Sequence, residues 1–410
     1  MMRIAHVSAT FLPIVGGVEW KVHYLSQEYA QRGHRVTVFT LRLPSGIPET
    51  ALPSAPLYDV VRCGFPFRGA GRLGVNSWLL ARAITSAHRR EPFDIIHCHQ
   101  LGQMAACSAN VRQKTGLPVV VTTSGDDVNT IPAVGYGIRC APRLDRMVRA
   151  NVRRVDVIGS VSRGIRAELE AIGTTARIVD IPNGVPWEEF QTGPSRLLRD
   201  RLRLSDDTVV VLSVGRNFSL KRYDLGIEAF ARVVKGADRS GPGDRSSRVK
   251  AHYVLIGREL DSLRPLVDRL GVSSHVSFIN QMPISELPAV YHSADIFFNP
   301  SETEGFAQVN AQALACGLPL VVTDASGNVD AADHGGALVA RCNDVASMAQ
   351  CLEQLIVDEP GRRELGVVAH RASRHYAWSK IAEHYLAEFE SVRSSGRQRL
   401  SVAATEGPGS

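Results

Sequence analysis

Short runs of β-branched and other apolar residues punctuate the first half of the chain, at residues 3–7, 35–39, 94–97, 118–122 and 155–158. Runs of this length with few polar alternates read as strands buried on both faces of a parallel sheet. Between the first two runs, Val22, Leu25 and Tyr29 recur at helical spacing and Gly33 supplies a stop, so residues 22–31 are predicted to be a helix. Strand, helix and strand in repetition predict an α/β domain with a doubly wound sheet. The second half repeats the scheme with apolar runs at 208–212, 252–256, 275–278, 295–298 and 318–322, which predicts a second such domain.

At 410 residues the chain is longer than a single core of about 250–300 residues supports. The run Ile181-Pro182-Asn183-Gly184-Val185-Pro186 is the best linker, with two prolines and an Asn-Gly pair in six residues. It divides the chain into a domain at 1–190 and a domain at 191–375. Residues 236–249 have turn-forming and charged composition and read as a surface insertion, and 394–410 read as a flexible tail. A hydrophobic share of 44% can fill two cores, and no apolar run reaches the roughly 18 residues of a membrane span. Residues 1–7 read as a first strand rather than a signal peptide. Seven cysteines without metal-type spacing suit reduced thiols, and together these features predict a cytoplasmic protein. The net charge of +6 suits anionic partners, and nothing interleaves basic and aromatic residues as a nucleic-acid surface does.

Candidate chemistry gathers where strands end. Residues 299–317 follow one predicted strand and close on Gly317, so a helix over 305–316 is predicted to start at the carboxyl edge of the second sheet. Free amides of Gly305, Phe306 and Ala307 would favour phosphate there, and Gly305 permits close approach. Glu304 would stand beside them as an acceptor for sugar hydroxyls, with Gln312 further along the same side; a nucleotide-sugar would span both. After the strand ending at Gly215, Arg216 and Lys221 could neutralise a diphosphate leaving group in place of a metal ion. Gly16-Gly17 after the first strand could bring amides to phosphate, and Thr122 to Asp127 occupy another strand end. Taken singly, Glu304 could be an ordinary helix-terminal carboxylate, Arg216 and Lys221 solvated loop charges, and the glycine pair a turn.

In combination these residues resemble the retaining glycosyltransferases of family four, which have the two-domain GT-B fold. The resemblance spans Arg3 to about Val392. It is carried by Gly16-Gly17-Val18-Glu19, Asp94-Ile95-Ile96-His97, Ile181 to Val185, Val214-Gly215-Arg216 with Lys221, and Pro300 to Gly317. It implies two Rossmann-like domains facing across a cleft, with the last helix, about 376–393, returning to the first domain. It also implies a metal-independent hexosyltransferase without a cofactor. Arg216 and Lys221 would hold the donor diphosphate, Glu304 would contact the donor sugar, Phe306, Ala307 and Gln308 would offer amides, and the acceptor would enter from the N-terminal domain. The expected donor is a UDP- or GDP-sugar; the acceptor is a carbohydrate, a lipid-linked sugar or a small molecule, in envelope polysaccharide, glycolipid or secondary-metabolite synthesis. A catalytically degenerate sugar-nucleotide-binding protein and a GT-B-fold epimerase are the rival readings.

Two positions depart from the family. Its paired-glutamate motif ends here in Gln312, which would weaken ribose binding about five- to tenfold. Ser124 stands where many relatives have histidine and cannot titrate near neutrality, so Asp126, Asp127, His99 or the donor phosphate must handle the proton. Asp126 is the catalytic candidate, with Ser124, Asp127 and His99 as acceptor or sugar contacts. His97 and His99 are assigned to opposite faces of a strand, packed or hydrogen-bonded rather than sharing a metal. The arginines over 139–154 and the apolar-basic stretch 72–90 are solvated or packing faces, with an anionic membrane surface on the inner face of the cytoplasmic membrane as the further candidate.

Overall fold

The computed structural model describes residues 1–47, 56–66, 73–238 and 250–405. The chain separates into two compact units, one of Met1–Asn183 with Trp378–Ser410 and one of Gly184–Ala377. The change of unit therefore falls inside the Pro182 to Pro186 run.

The first unit is built on seven parallel strands: β1 (Arg3–Val7), β2 (Arg35–Leu41), β3 (Asp59–Cys63), β4 (Ile95–His99), β5 (Val119–Thr122), β6 (Val157–Ser160) and β7 (Arg177–Asp180). Their spatial order is β3-β2-β1-β4-β5-β6-β7, so the direction of winding reverses between β1 and β4. The second unit has β8 (Val209–Val214), β9 (Ala251–Ile256), β10 (Val276–Ile279), β11 (Ile296–Asn299), β12 (Leu320–Thr323) and β13 (Ala337–Ala340), in the order β10-β9-β8-β11-β12-β13. Here the reversal lies between β8 and β11. In both units the crevice at the carboxyl ends beside such a reversal is where an open α/β sheet takes its ligand.

Central strands show why the sequence folds this way: β5 and β6 are buried at every position, and apart from Thr122, Gly159 and Ser160 toward their carboxyl ends they are apolar. The runs expected to be strands are strands. Three further strands, β3, β7 and β13, lie at sheet edges; β3 and β7 carry Asp59 and Arg177 and so lack the continuous apolar signal, whereas β13 is an apolar run of four residues that the sequence reading passes over.

The first helix runs Gly17–Gln31, five residues earlier than its apolar spacing indicates, and Gly33 follows it at φ +80. The insertion expected at 236–249 is shorter, since the helix Tyr223–Asp238 continues through its first residues; 239–249 lie outside the described residues. The tail expected from 394 is also shorter, because the helix Trp378–Thr405 runs on through Arg397, Gln398, Arg399 and Leu400, all good helix formers.

That last helix belongs to the core of the first unit. Trp378, Ile381, Tyr385 and Phe389 are buried with Leu25, Tyr29, Ile95 and Val120, and burial contributes on the order of 1.5–3 kcal/mol for each large side chain. Tyr385 lies over β6 at Gly159, where any Cβ would stand 2.9 Å from its hydroxyl oxygen. The second core joins Val211, Phe230, Tyr253, Leu255, Phe298 and Val321 to Met348 and Leu352.

Candidate functional site

Two loops of the second unit meet at the β8/β11 reversal. After β8, the chain passes Gly215 and a short 3-10 turn, Ser219–Lys221, and Arg222 follows in the left-handed region at φ +47. After β11 it passes Pro300 and Ser301 to Glu304. The Glu302 amide donates to the Leu220 carbonyl at 2.8 Å and clips the loops together. Lys221 Nζ then donates to Glu304 Oε1 at 2.6 Å, so the expected diphosphate clamp and sugar acceptor form one ion pair. Arg216 does not join them; its side chain is exposed and reaches Glu259 Oε2 at 3.1 Å.

Buried polar side chains hold Glu304 from beneath. Ser301 Oγ lies 2.7 Å from both Glu304 Oε1 and Asn299 Oδ1. A hydroxyl has one proton, so it can donate to only one of these two acceptors at a time. Asn299 Nδ2 donates to Asn310 Oδ1 at 2.9 Å, Asn310 Nδ2 to Asn328 Oδ1 at 2.8 Å, and Asn328 Nδ2 to Thr323 Oγ1 at 2.8 Å. These amides link β11, the following helix and the loop after β12 in one satisfied network.

The helix after Glu304 starts later than its sequence suggests. It spans Gln308–Ala315, because residues 304–307 are tied to the neighbouring loop: the Glu304 amide donates to Ser326 O at 3.0 Å and the Ala307 amide to Gly327 O at 2.9 Å. Only glycine fits at 327, where φ is +73 and a Cβ would stand 2.2 Å from the Glu304 carbonyl oxygen. The Ala307 amide is therefore already used. Gly305 and Phe306 are buried in this loop and Gln308 begins the helix. Gln312 Oε1 accepts from the buried Tyr291 hydroxyl at 2.9 Å. A cavity of about 1030 Å³ in this unit lies elsewhere, at the opposite edge of the sheet beside Thr208, Asp295 and Gly317.

In the first unit, Gly17 opens the helix after β1 and Gly16 precedes it in extended conformation, where a Cβ would meet the Glu19 carboxylate. At the carboxyl end of β5, Asp127 is fully buried: Oδ1 accepts from the Ser124 and Gly125 amides at 2.9 and 3.0 Å, and Oδ2 from the Leu101 amide at 2.9 Å. Both of its oxygens are occupied within the fold, which makes it a loop anchor. Asp126 is half-buried and accepts from Gln100 Nε2 at 3.2 Å. Burial, then the neighbouring Asp127, pushes its carboxyl up to about 6. The Ser124 hydroxyl and His99 Nδ1 are buried without a partner.

The assignment of His97 and His99 to opposite faces is corrected. Residues i and i+2 of a strand share a face, and the two rings stand 4.7 Å apart with His6 of β1 beside them. One ring nitrogen from each lies within 4.8 Å of the others. His6 Nε2 and His99 Nε2, however, are 2.6 Å apart, nearer than the roughly 3.3 Å between two ligands of a tetrahedral ion. Hydrogen bonds already close the cluster: His6 Nδ1 pairs with Ser26 Oγ at 2.8 Å, and His97 Nε2 with Thr122 Oγ1 at 2.7 Å. The expected hydrogen-bonded role fits this geometry. Of the arginines over 139–154, Arg139 is bound to Asp145 and Glu168, and Arg149 to Asp145. Among the described residues no helix is long and apolar enough to cross a membrane.

Lys21, Gln100, Ser301, Asn299, Asn310, Asn328 and Gly327 escape the sequence reading. Only Lys21 had a signal, a lysine four residues before Leu25 on the apolar stripe of its helix.

These two sheets, each with a switch point, form two nucleotide-binding-type α/β domains, and comparison with known proteins gives the class as transferases. Residues 15–189 match the model of Glycosyltransferase Family 4 and residues 195–371 that of Glycosyl transferases group 1. The D-inositol 3-phosphate glycosyltransferase of Acidothermus cellulolyticus is 28% identical, over 97% of this chain and 92% of its own. Sucrose-phosphate synthase from Thermosynechococcus elongatus superposes with a TM-score of 0.77 at 19% identity, covering 96% of this chain and all of that one. Anabaena HepE, solved in complex with UDP, gives 0.72 at 18% identity, covering 95% and 100%. The chain belongs to the group 1 glycosyltransferases, with the GT-B fold.

Proposed function

We propose that the protein is a retaining glycosyltransferase that moves a hexose from a nucleoside-diphosphate sugar, UDP- or GDP-linked, to an acceptor hydroxyl without a metal ion. The Lys221–Glu304 pair at the β8/β11 reversal carries this reading. As the anomeric carbon leaves the phosphate oxygen, negative charge grows on the diphosphate, and a lysine there meets it as a fixed cation. Glu304 in turn exchanges Lys221 for hydroxyls of the sugar. A UDP donor is favoured by the UDP bound to HepE, and a small hydroxylated acceptor by the name of the inositol-phosphate relative.

The test is a melting panel with UDP, GDP, ADP, CMP and dTDP, without added metal, on wild type and Lys221→Ala. One nucleoside diphosphate at about 100 times its Kd is expected to stabilise the wild type by roughly 2.7 kcal/mol and the variant far less. No stabilisation by any of them would count against the reading. Transfer that survives EDTA, and a product with the donor's anomeric configuration by NMR, are the outcomes expected for the metal-free retaining course.

The amide at Gln312 leaves room for a second reading, a protein that binds sugar nucleotide but transfers little. Gln312→Glu separates the two. It is expected to tighten nucleotide binding about five- to tenfold, since charged acceptors form stronger hydrogen bonds than neutral ones, while wild type already turns over. Calorimetry and a transfer assay read both; turnover found only in the variant would favour the second reading.

A further inference from the structure

Beneath Glu304, five side chains form a run of hydrogen bonds in which the direction of each group is set. Asn299, Ser301, Asn310, Thr323 and Asn328 are all buried, with at most 3% exposure. Two backbone carbonyls, which can only accept, fix the amides. Asn328 Nδ2 donates to the Asn299 carbonyl at 3.0 Å, and Asn310 Nδ2 to the Asn328 carbonyl at 3.1 Å. Asn310 Oδ1 must then face Asn299 Nδ2, and Asn299 Oδ1 must face Ser301. Thr323 Oγ1, which accepts from Asn328, donates to the Ser301 carbonyl, and the Ser301 amide reaches Asn299 Oδ1 at 3.4 Å. With its backbone held in this way, Ser301 has one hydroxyl proton and two acceptors for it, the neutral amide of Asn299 and the carboxylate of Glu304. A hydrogen bond to a charged acceptor is the stronger, so the proton goes to Glu304.

On Glu304 the two donors share one oxygen. Lys221 Nζ at 2.6 Å and Ser301 Oγ at 2.7 Å both take Oε1. Oε2 has no hydrogen-bond partner among the described residues, and 14% of the side chain stays exposed. The two donors differ in kind. Lys221 carries its charge on a flexible four-carbon stem, whereas Ser301 sits in a buried frame. We propose that Ser301 is a positioning residue for recognition of the donor sugar: it keeps Glu304 held by Oε1 once Lys221 has turned to the diphosphate, and so presents Oε2 to a sugar hydroxyl. The inference rests on the transferase reading above. Without Ser301, Glu304 is a carboxylate on rotatable bonds that the sugar itself must order on binding, and that ordering weakens the complex. The nucleotide, whose diphosphate is met by Lys221, draws no benefit from a fixed Glu304.

One test removes the ammonium directly. In a crystal structure of Lys221→Ala, Glu304 Oε1 is expected to remain within hydrogen-bond distance of Ser301 Oγ; with Ser301→Ala added, the carboxylate is expected to leave that place. Glu304 displaced in the single variant, or unmoved in the double, overturns the proposal. A second test is calorimetry with UDP and with UDP-glucose, alongside steady-state transfer. Ser301→Ala is expected to bind UDP within about twofold of wild type, to bind UDP-glucose about tenfold more weakly and to lower kcat about tenfold, the usual worth of one hydrogen bond to a charged group. In the Glu304→Ala background it adds no further loss, because it acts only through that carboxylate. Equal weakening of both ligands, or a full further loss beside Glu304→Ala, would show a general loosening of the loop and sink the inference. Should Ser301→Ala fail to fold, Ser301→Cys keeps the shape with a weak donor and must show the same selective loss. Should wild type bind neither ligand, the reading of function fails on its own, and the two Lys221→Ala structures decide this inference.

Discussion

Lys221→Ala is expected to lower kcat for sugar transfer by about 10²–10³, the usual cost of removing one fixed charge or donor from a developing anion. Glu304→Ala is expected to fall as far, for a different reason. It removes the acceptor of Lys221 and of Ser301, so the ammonium loses its place and the sugar hydroxyls lose their carboxylate. The two losses should not add, because each variant disables the same pair. Steady-state transfer rates, with nucleotide affinity measured separately, check this. Lys221→Ala should weaken nucleotide binding, whereas Glu304→Ala should retain it and lose the distinction between a nucleotide and its sugar conjugate. Turnover within about threefold of wild type in either variant would remove the pair from the reaction.

Acid is expected to unfold the first unit well before carboxylate protonation alone would do so. Burial holds His6 down to about 3 and His23 to about 4, and it lowers His97 and His99 well below the ordinary value. In the unfolded chain each titrates near 6.5. The unfolded state therefore binds more protons below that pH, so the stability these groups confer is complete above about 6.5 and is lost as pH falls toward their folded values. Each histidine adds a slope of at most about 1.4 kcal/mol per pH unit, so four together amount to several kcal/mol between pH 6.5 and 5. Urea midpoints over pH 5–8 would show the loss, and His97→Phe should flatten the slope even if it lowers the plateau. Midpoints that stay level down to pH 5 would contradict this account.

Continuous apolar runs made the central strands legible in the sequence, since a strand buried on both faces has no room for polar alternation. β3 and β7 hid because an edge strand keeps Asp59 or Arg177 in solvent and loses that signature, and β13, though apolar throughout, is only four residues long. Lys221 and Glu304 were legible as strand-end charges, and their meeting was foreseeable only once β8 and β11 were known to be neighbours. Asn299, Asn310 and Asn328 gave no periodic signal: each is an ordinary polar residue until the fold brings β11, a helix and a loop together. The late start of the helix Gln308–Ala315 has the same origin. A backbone clip from Ser326 and Gly327, about twenty residues downstream, overrides what Gly305 to Ala307 would do locally.

The helix that completes the first unit is made after the whole of the second. Trp378, Ile381, Tyr385 and Phe389 emerge from the ribosome only after the whole second unit, yet they fill the core against Leu25 and Tyr29 and meet Thr122 through Tyr385. The usual order of assembly during synthesis, first domain first, is thereby reversed in its final step: Gly184–Ala377 can finish while the earlier unit still waits for its closing helix. A nascent chain released near residue 190 would expose that unfilled apolar seam, and truncation before Trp378 would damage the domain farthest from it in sequence.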